Sequence, residues 1–102
     1  MTKFGKLIDE SNIPVLINFY ANWDEQCQEV HPVLKDVAAA LGDEAKVVKI
    51  NVDNNEELAE ALRVKSLPTF VIYSSGEMVW RRSGHLEAND LLILLKRYRH
   101  NM

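Results

Sequence analysis

Asp24, Cys27 and His31 stand close enough in the chain for their chemistry to be read together. Steps of three and four residues place all three on one face if the segment is helical. A carboxylate, a thiol and an imidazole on one face, with Glu25 adjacent, could converge on a metal ion and leave a position open, as catalytic zinc requires. Each also has a simpler use. Asp24 is a good helix N-cap, Cys27 a small side chain suited to a core, and His31 a partly exposed ring. No second Cys or His cluster supports a metal, so neither a metal nor another cofactor is expected. With one cysteine in the chain, an internal disulfide cannot form. That usage fits a reducing, cytoplasmic setting, although a mature exported form cut from its signal would read the same.

The elements that must position these residues follow from composition and pattern. A chain of 102 residues, 47% hydrophobic and 26% charged, is expected to be one domain over residues 1–102. A net charge of -3 leaves no diffuse basic footprint, which argues against nucleic acid as a partner. The apolar runs are too short for a bilayer, which needs about 20 residues, and the first residues lead into no secretory signal.

Phe4, Leu7 and Ile8 recur at helical spacing, and Ser11-Asn12 is expected to end that helix. The run from Pro14 to Tyr20 has the length and continuity of a strand buried on both faces. Asp24 then caps a helix whose apolar stripe is Cys27, Val30, Leu34, Val37, Ala38 and Leu41, ending at Gly42. Pro32 falls inside it and is expected to bend it and to free the Gln28 carbonyl. Val48, Ile50 and Val52 alternate in a second strand from Lys46. Asn54 is placed to cap a short helix with Glu56 and Glu57 in its first turn, burying Leu58, Ala61 and Leu62. Phe70 to Tyr73, a turn at Ser74-Ser75-Gly76, and Met78 to Trp80 form a hairpin. Beyond Gly84 a last helix from about Glu87 to Tyr98 carries Leu91, Leu92, Leu94 and Leu95, with Lys96, Arg97 and Arg99 at its end. A helix joins the first two strands, so they should be parallel, and the hairpin antiparallel. The fold class is α/β, a mixed four-stranded sheet with helices on both faces.

Four landmarks in this order resemble the thioredoxin family. Phe19-Tyr20-Ala21-Asn22-Trp23 before Asp24-Glu25-Gln26-Cys27 is similar to the segment that runs into Trp-Cys-X-X-Cys. Pro32 stands where thioredoxins have a helix-kinking proline. Val64 to Phe70, with Pro68, resembles the segment holding a cis-proline opposite the motif. Gly76 and Gly84 match the hairpin and pre-helix glycines. The likeness covers about Pro14 to Tyr98, while the N-terminal part is shorter and lacks the usual first strand.

The departures bear on activity. The resemblance puts the family's nucleophilic cysteine at Asp24, its resolving cysteine at Cys27, and its buried acid at Asn18. Ser66 replaces a glycine, while Trp23, Lys49, Asp53 and Pro68 agree with the pattern. Dithiol chemistry needs one sulfur to attack a disulfide and a second to release the product. Asp24 cannot do the first, so dithiol reductase activity is expected to be lost. A carboxylate beside Cys27 also disfavours its thiolate. Asn18 reads either as part of a site that has abandoned thiol chemistry or as a neutral polar side chain hydrogen-bonded in the core. The resemblance implies a groove of Trp23, Glu25, Gln26, Leu67 and Pro68 where the Leu67 backbone pairs with an extended segment, which needs no sulfur. The expected role is a thiol- or peptide-binding module in redox homeostasis. The alternative is monothiol exchange at Cys27 with glutathione or a partner thiol. Asp24, Glu25 and Glu29 make the motif end acidic, so a partner there should be basic or neutral.

Overall fold

Apolar patterning decides which face each element turns inward. The computed structural model describes residues 3–9 and 13–98. In chain order these form α1 (Lys3–Asp9), β1 (Val15–Tyr20), α2 (Glu25–Leu41), β2 (Lys46–Asn51), α3 (Glu56–Ala61), β3 (Thr69–Ser74), β4 (Glu77–Ser83) and α4 (Ala88–Tyr98). The sheet order is β2-β1-β3-β4. β1 and β2 are parallel, and β3 is antiparallel to both β1 and β4. This is the mixed four-stranded sheet expected from the element order.

β1 is buried over five consecutive residues because both sides of the sheet are covered. On one side Leu16, Phe70 and Ile72 pack against Val30, Leu34 and Val37 of α2 and Leu91 and Leu95 of α4. On the other, Ile17, Phe19, Val71 and Tyr73 meet Ile8 of α1, with Phe4, Val48, Ile50, Leu58 and Leu62 packed around them. The rings of Phe4 and Tyr73 meet edge-on at 5.4 Å. Leaving these two layers would expose large aliphatic and aromatic side chains, each worth about 1.5–3 kcal/mol of burial.

Several local expectations change. β2 ends at Asn51, because the Asn51 side chain accepts from the backbone N–H groups of Asp53 and Asn54 and turns the chain into a single helical turn over Val52–Asn54. Asn54 is therefore not the cap of α3. Asn55 holds that place and makes no side-chain capping bond. The face α3 buries centres on Ala59, and Ala61 is exposed. Ala38 is likewise exposed, just off the buried stripe of α2. β4 continues past Trp80 to Ser83, with a bulge opposite Ile72 and Tyr73. Arg81 ties that extension to the rest of the fold: its guanidinium donates to the carbonyls of Leu62 and Arg63, where α3 ends. The expected stop at Ser11-Asn12 and the cation Arg99 lie outside the described residues.

Candidate functional site

The strand register gathers the site along one edge of the sheet. Tyr20 lies beside Asn51, Phe19 beside Thr69, and Thr69 beside Ser83. The chain therefore leaves β1 toward α2, leaves β2 toward Asp53, and enters β3 from Leu67-Pro68, all at the same end. The Leu67–Pro68 peptide is cis. The Pro68 carbonyl accepts from the Gly84 N–H at 2.9 Å. Gly84 takes φ +98, a region that favours glycine, so a side chain there would strain this contact. Thr69, fully buried, hydrogen-bonds through its hydroxyl to the Ser66 carbonyl at 2.5 Å and to the Ser83 hydroxyl at 2.9 Å. This pinning of the loop at both ends of Pro68 has no periodic signature in the sequence.

Asp24 is spent as a cap. It is extended, at φ -95 and ψ 123, and its Oδ1 accepts from the Cys27 backbone N–H at 3.0 Å. A carboxylate here also meets the positive end of the helix dipole. The Gln28 side chain donates to the Asn22 carbonyl at 2.9 Å and ties the preceding turn to the helix. Cys27 has no solvent exposure. Burial pushes its thiol pKa up from 9.0, a backbone hydrogen bond at Ala21 pulls the other way, and the Asp24 carboxylate adds to the rise. A raised pKa and a covered sulfur both reduce thiolate at neutral pH.

Trp23 is the opposite case. It is 70% exposed, while its Nε1–H donates to Asp53 Oδ2 at 3.0 Å. The bond joins the turn before α2 to the turn after β2 and tethers the exposed ring. Glu25 and Gln26 are exposed on the first turn of α2. Leu67 is half-buried, and no hydrogen bond to its backbone N–H or carbonyl is found among the described residues. Trp23 and Asp53 are each visible in the sequence, but their pairing needs the parallel register of β1 and β2.

Asn18 is completely buried on β1, and neither its amide nitrogen nor its amide oxygen has a hydrogen-bond partner among the described residues. The reading of Asn18 as a hydrogen-bonded core amide is corrected by this. Its neighbours across the strands, Lys49 and Phe70, are paired through the backbone. His31 packs edge-on against Tyr20 at 5.1 Å, and burial, followed by the Lys49 charge, lowers its pKa from 6.5. Asp24, Cys27 and His31 are thus turned to a cap, the core and an aromatic contact. Among the described residues no three His, Cys, Asp or Glu side chains are grouped to hold a metal ion.

Comparison with known proteins bears on this arrangement. The family model described as Thioredoxin matches residues 1–97. The chain is 38% identical over 91 residues to the chloroplastic thioredoxin Y of Oryza sativa subsp. japonica, covering 89% of this chain and 54% of that protein. It is 40% identical over 76 residues to thioredoxin 1 of Synechococcus elongatus, covering 74% and 71%. The solved structure of a mutant thioredoxin from Halobacterium salinarum NRC-1 superposes with a TM-score of 0.86 at 32% identity, covering 100% of this chain and 88% of the other. The chain spans about half the length of the chloroplastic relatives it matches.

Proposed function

The chain belongs to the thioredoxin family, and on that premise we propose that it keeps the family's recognition groove without two-thiol turnover. It serves as a thiol- or peptide-binding module around Trp23, Glu25, Gln26, Leu67 and Pro68. The observation that carries this reading is the fate of the two motif ends: Asp24 caps the helix and Cys27 lies fully covered. A fold alone does not carry an activity, so the reading rests on those atoms.

Two-thiol reduction begins when a thiolate attacks a disulfide, forms a mixed disulfide and expels one substrate thiolate. A second thiolate then attacks the bridge and frees the remaining substrate sulfur. Asp24 offers no sulfur for either step. A bridge made by Cys27 would persist until an outside thiol, such as glutathione, took it apart. The burial of Cys27 and its raised pKa weigh against that monothiol route. Recognition, in contrast, needs only an exposed aromatic and free backbone groups, and Trp23 and Leu67 supply them. We place the protein in a reducing, cytoplasmic setting on its cysteine usage and assign it to redox homeostasis through partner binding.

Calorimetric titration with S-carbamidomethylated insulin B chain, an extended polypeptide whose thiols are blocked without added charge, tests this. Saturable binding that Trp23→Ala weakens and Cys27→Ser leaves intact is expected. Absence of binding, or binding indifferent to Trp23, would overturn the proposal.

A further inference from the structure

β2 forms one margin of the sheet, and among the described residues its only strand partner is β1. The Lys46 N–H donates inward to the Pro14 carbonyl at 2.9 Å. Alternation along a strand then turns the N–H and C=O groups of Val47 and Lys49 outward. No hydrogen bond to those outward groups is found among the described residues.

The side chains of the same two residues line a groove of about 660 Å³ between β2 and α2. Leu34, Ala38 and Val47 supply apolar lining, and Lys35 and Lys49 supply positive charge. None of the lining residues is a carboxylate, in a chain whose net charge is negative. His31 also faces the groove, and its Nδ1 is buried with no hydrogen-bond partner among the described residues. Backbone groups open at the margin therefore coincide with a cationic, partly apolar trough on one side of it.

We propose that this margin binds an extended acidic segment of a partner protein as a fifth strand. Its backbone would bond to Val47 and Lys49, and along the one face it turns toward α2, where every second side chain lies, apolar residues entering the trough over Leu34 and Ala38 would alternate with carboxylates meeting Lys35 and Lys49. The site is separate from the groove at Trp23 and Pro68, and it asks for the opposite charge. A second copy of this chain is the poorer occupant. Antiparallel pairing of two β2 strands would align Lys46 and Lys49 of both copies along one short margin, and lysines on edge strands disfavour such pairing.

The test is an amide NMR titration of the whole chain with the acetylated, amidated octapeptide Thr-Glu-Thr-Val-Thr-Glu-Thr-Val, which sets glutamate and valine on one face of a strand. The same peptide with lysine in place of glutamate is the control. Expected are saturable shifts and slowed hydrogen exchange at the Val47 and Lys49 amides, weaker binding at higher salt, and a Trp23 indole signal that stays put. Lys49→Glu should lower affinity at least tenfold. Val47→Pro removes an outward N–H at a margin where proline is tolerated, and should abolish binding while the circular dichroism is unchanged. Four results would overturn the proposal: no saturable binding, equal binding of the lysine peptide, shifts confined to the Trp23 end, or concentration-dependent protection of β2 without peptide. Should Val47→Pro fail to fold, Lys49→Glu still decides.

Discussion

Returning a sulfur to position 24 separates the consequences of Asp24 as a cap from those of Asp24 as a missing nucleophile. Asp24→Cys deletes the 3.0 Å bond to the Cys27 N–H, and loss of such a cap costs about 1 kcal/mol. A domain of this length has an unfolding entropy of roughly 0.2 kcal/mol/K, so the reduced variant should melt about 5 °C below the wild type. Positions 24 and 27 span the first turn of α2, where helical geometry sets Cα atoms about 5 Å apart, within the range a disulfide accepts. Closing so short a loop adds about 2 kcal/mol by the chain-entropy argument. The oxidised variant should therefore melt roughly 9 °C above its reduced form. Thermal melts with and without dithiothreitol measure both differences, and insulin reduction followed by turbidity measures activity. The expected outcome is a bridge under mild oxidation together with some gained turnover. Failure to form the bridge, or a bridged variant that stays inactive, would refute the idea that one absent sulfur is what separates this site from a working one. Asn18 or Ser66 would then be at fault as well.

The same geometry fixes four other outcomes. Iodoacetamide should label Cys27 slowly in the native protein and rapidly after unfolding, and rapid native labelling at neutral pH would contradict its burial. Because the Cys27 pKa is raised on folding, stability is fully present below 9.0 and should decline as pH climbs through the folded-state value, a decline that Cys27→Ala should remove. The lowered pKa of His31 acts at the other end: stability holds above 6.5 and falls as pH drops through the folded-state value, and urea titrations of His31→Gln should lack that loss. Asn18→Val removes two unpartnered buried atoms and suits a strand, so it should raise stability by about 1 kcal/mol. A loss of that size by denaturant unfolding would show that the amide is satisfied.

Elements with strong apolar periodicity were legible, and those set by single hydrogen bonds were not. β1 and the buried stripe of α2 follow from Val15 to Phe19 and from Cys27, Val30, Leu34, Val37 and Leu41, because each position repeats one physical demand. The parallel pairing of β1 with β2 follows from the intervening helix. The end of β2 escaped because Asn51 caps its own turn, an interaction invisible to a hydrophobic pattern that runs on to Val52. The cap of α3 shifted by one residue for the same reason. At the site, the chemistry of Asp24 could be read from residue type and position, since a helix start welcomes a carboxylate. The Trp23–Asp53 bond and the hydroxyl pair of Thr69 and Ser83 could not. Each joins residues far apart in sequence through strand register. The orphaned amide of Asn18 was equally hidden, because an asparagine in an apolar run does not reveal whether its neighbours leave it a partner.

Turnover by the unaltered chain tests most directly whether the missing sulfur at position 24 has ended two-thiol chemistry. In an insulin reduction assay supplied with dithiothreitol, the wild-type protein is expected to precipitate insulin no faster than dithiothreitol alone. A clear catalytic acceleration, lost in Cys27→Ser, would contradict it.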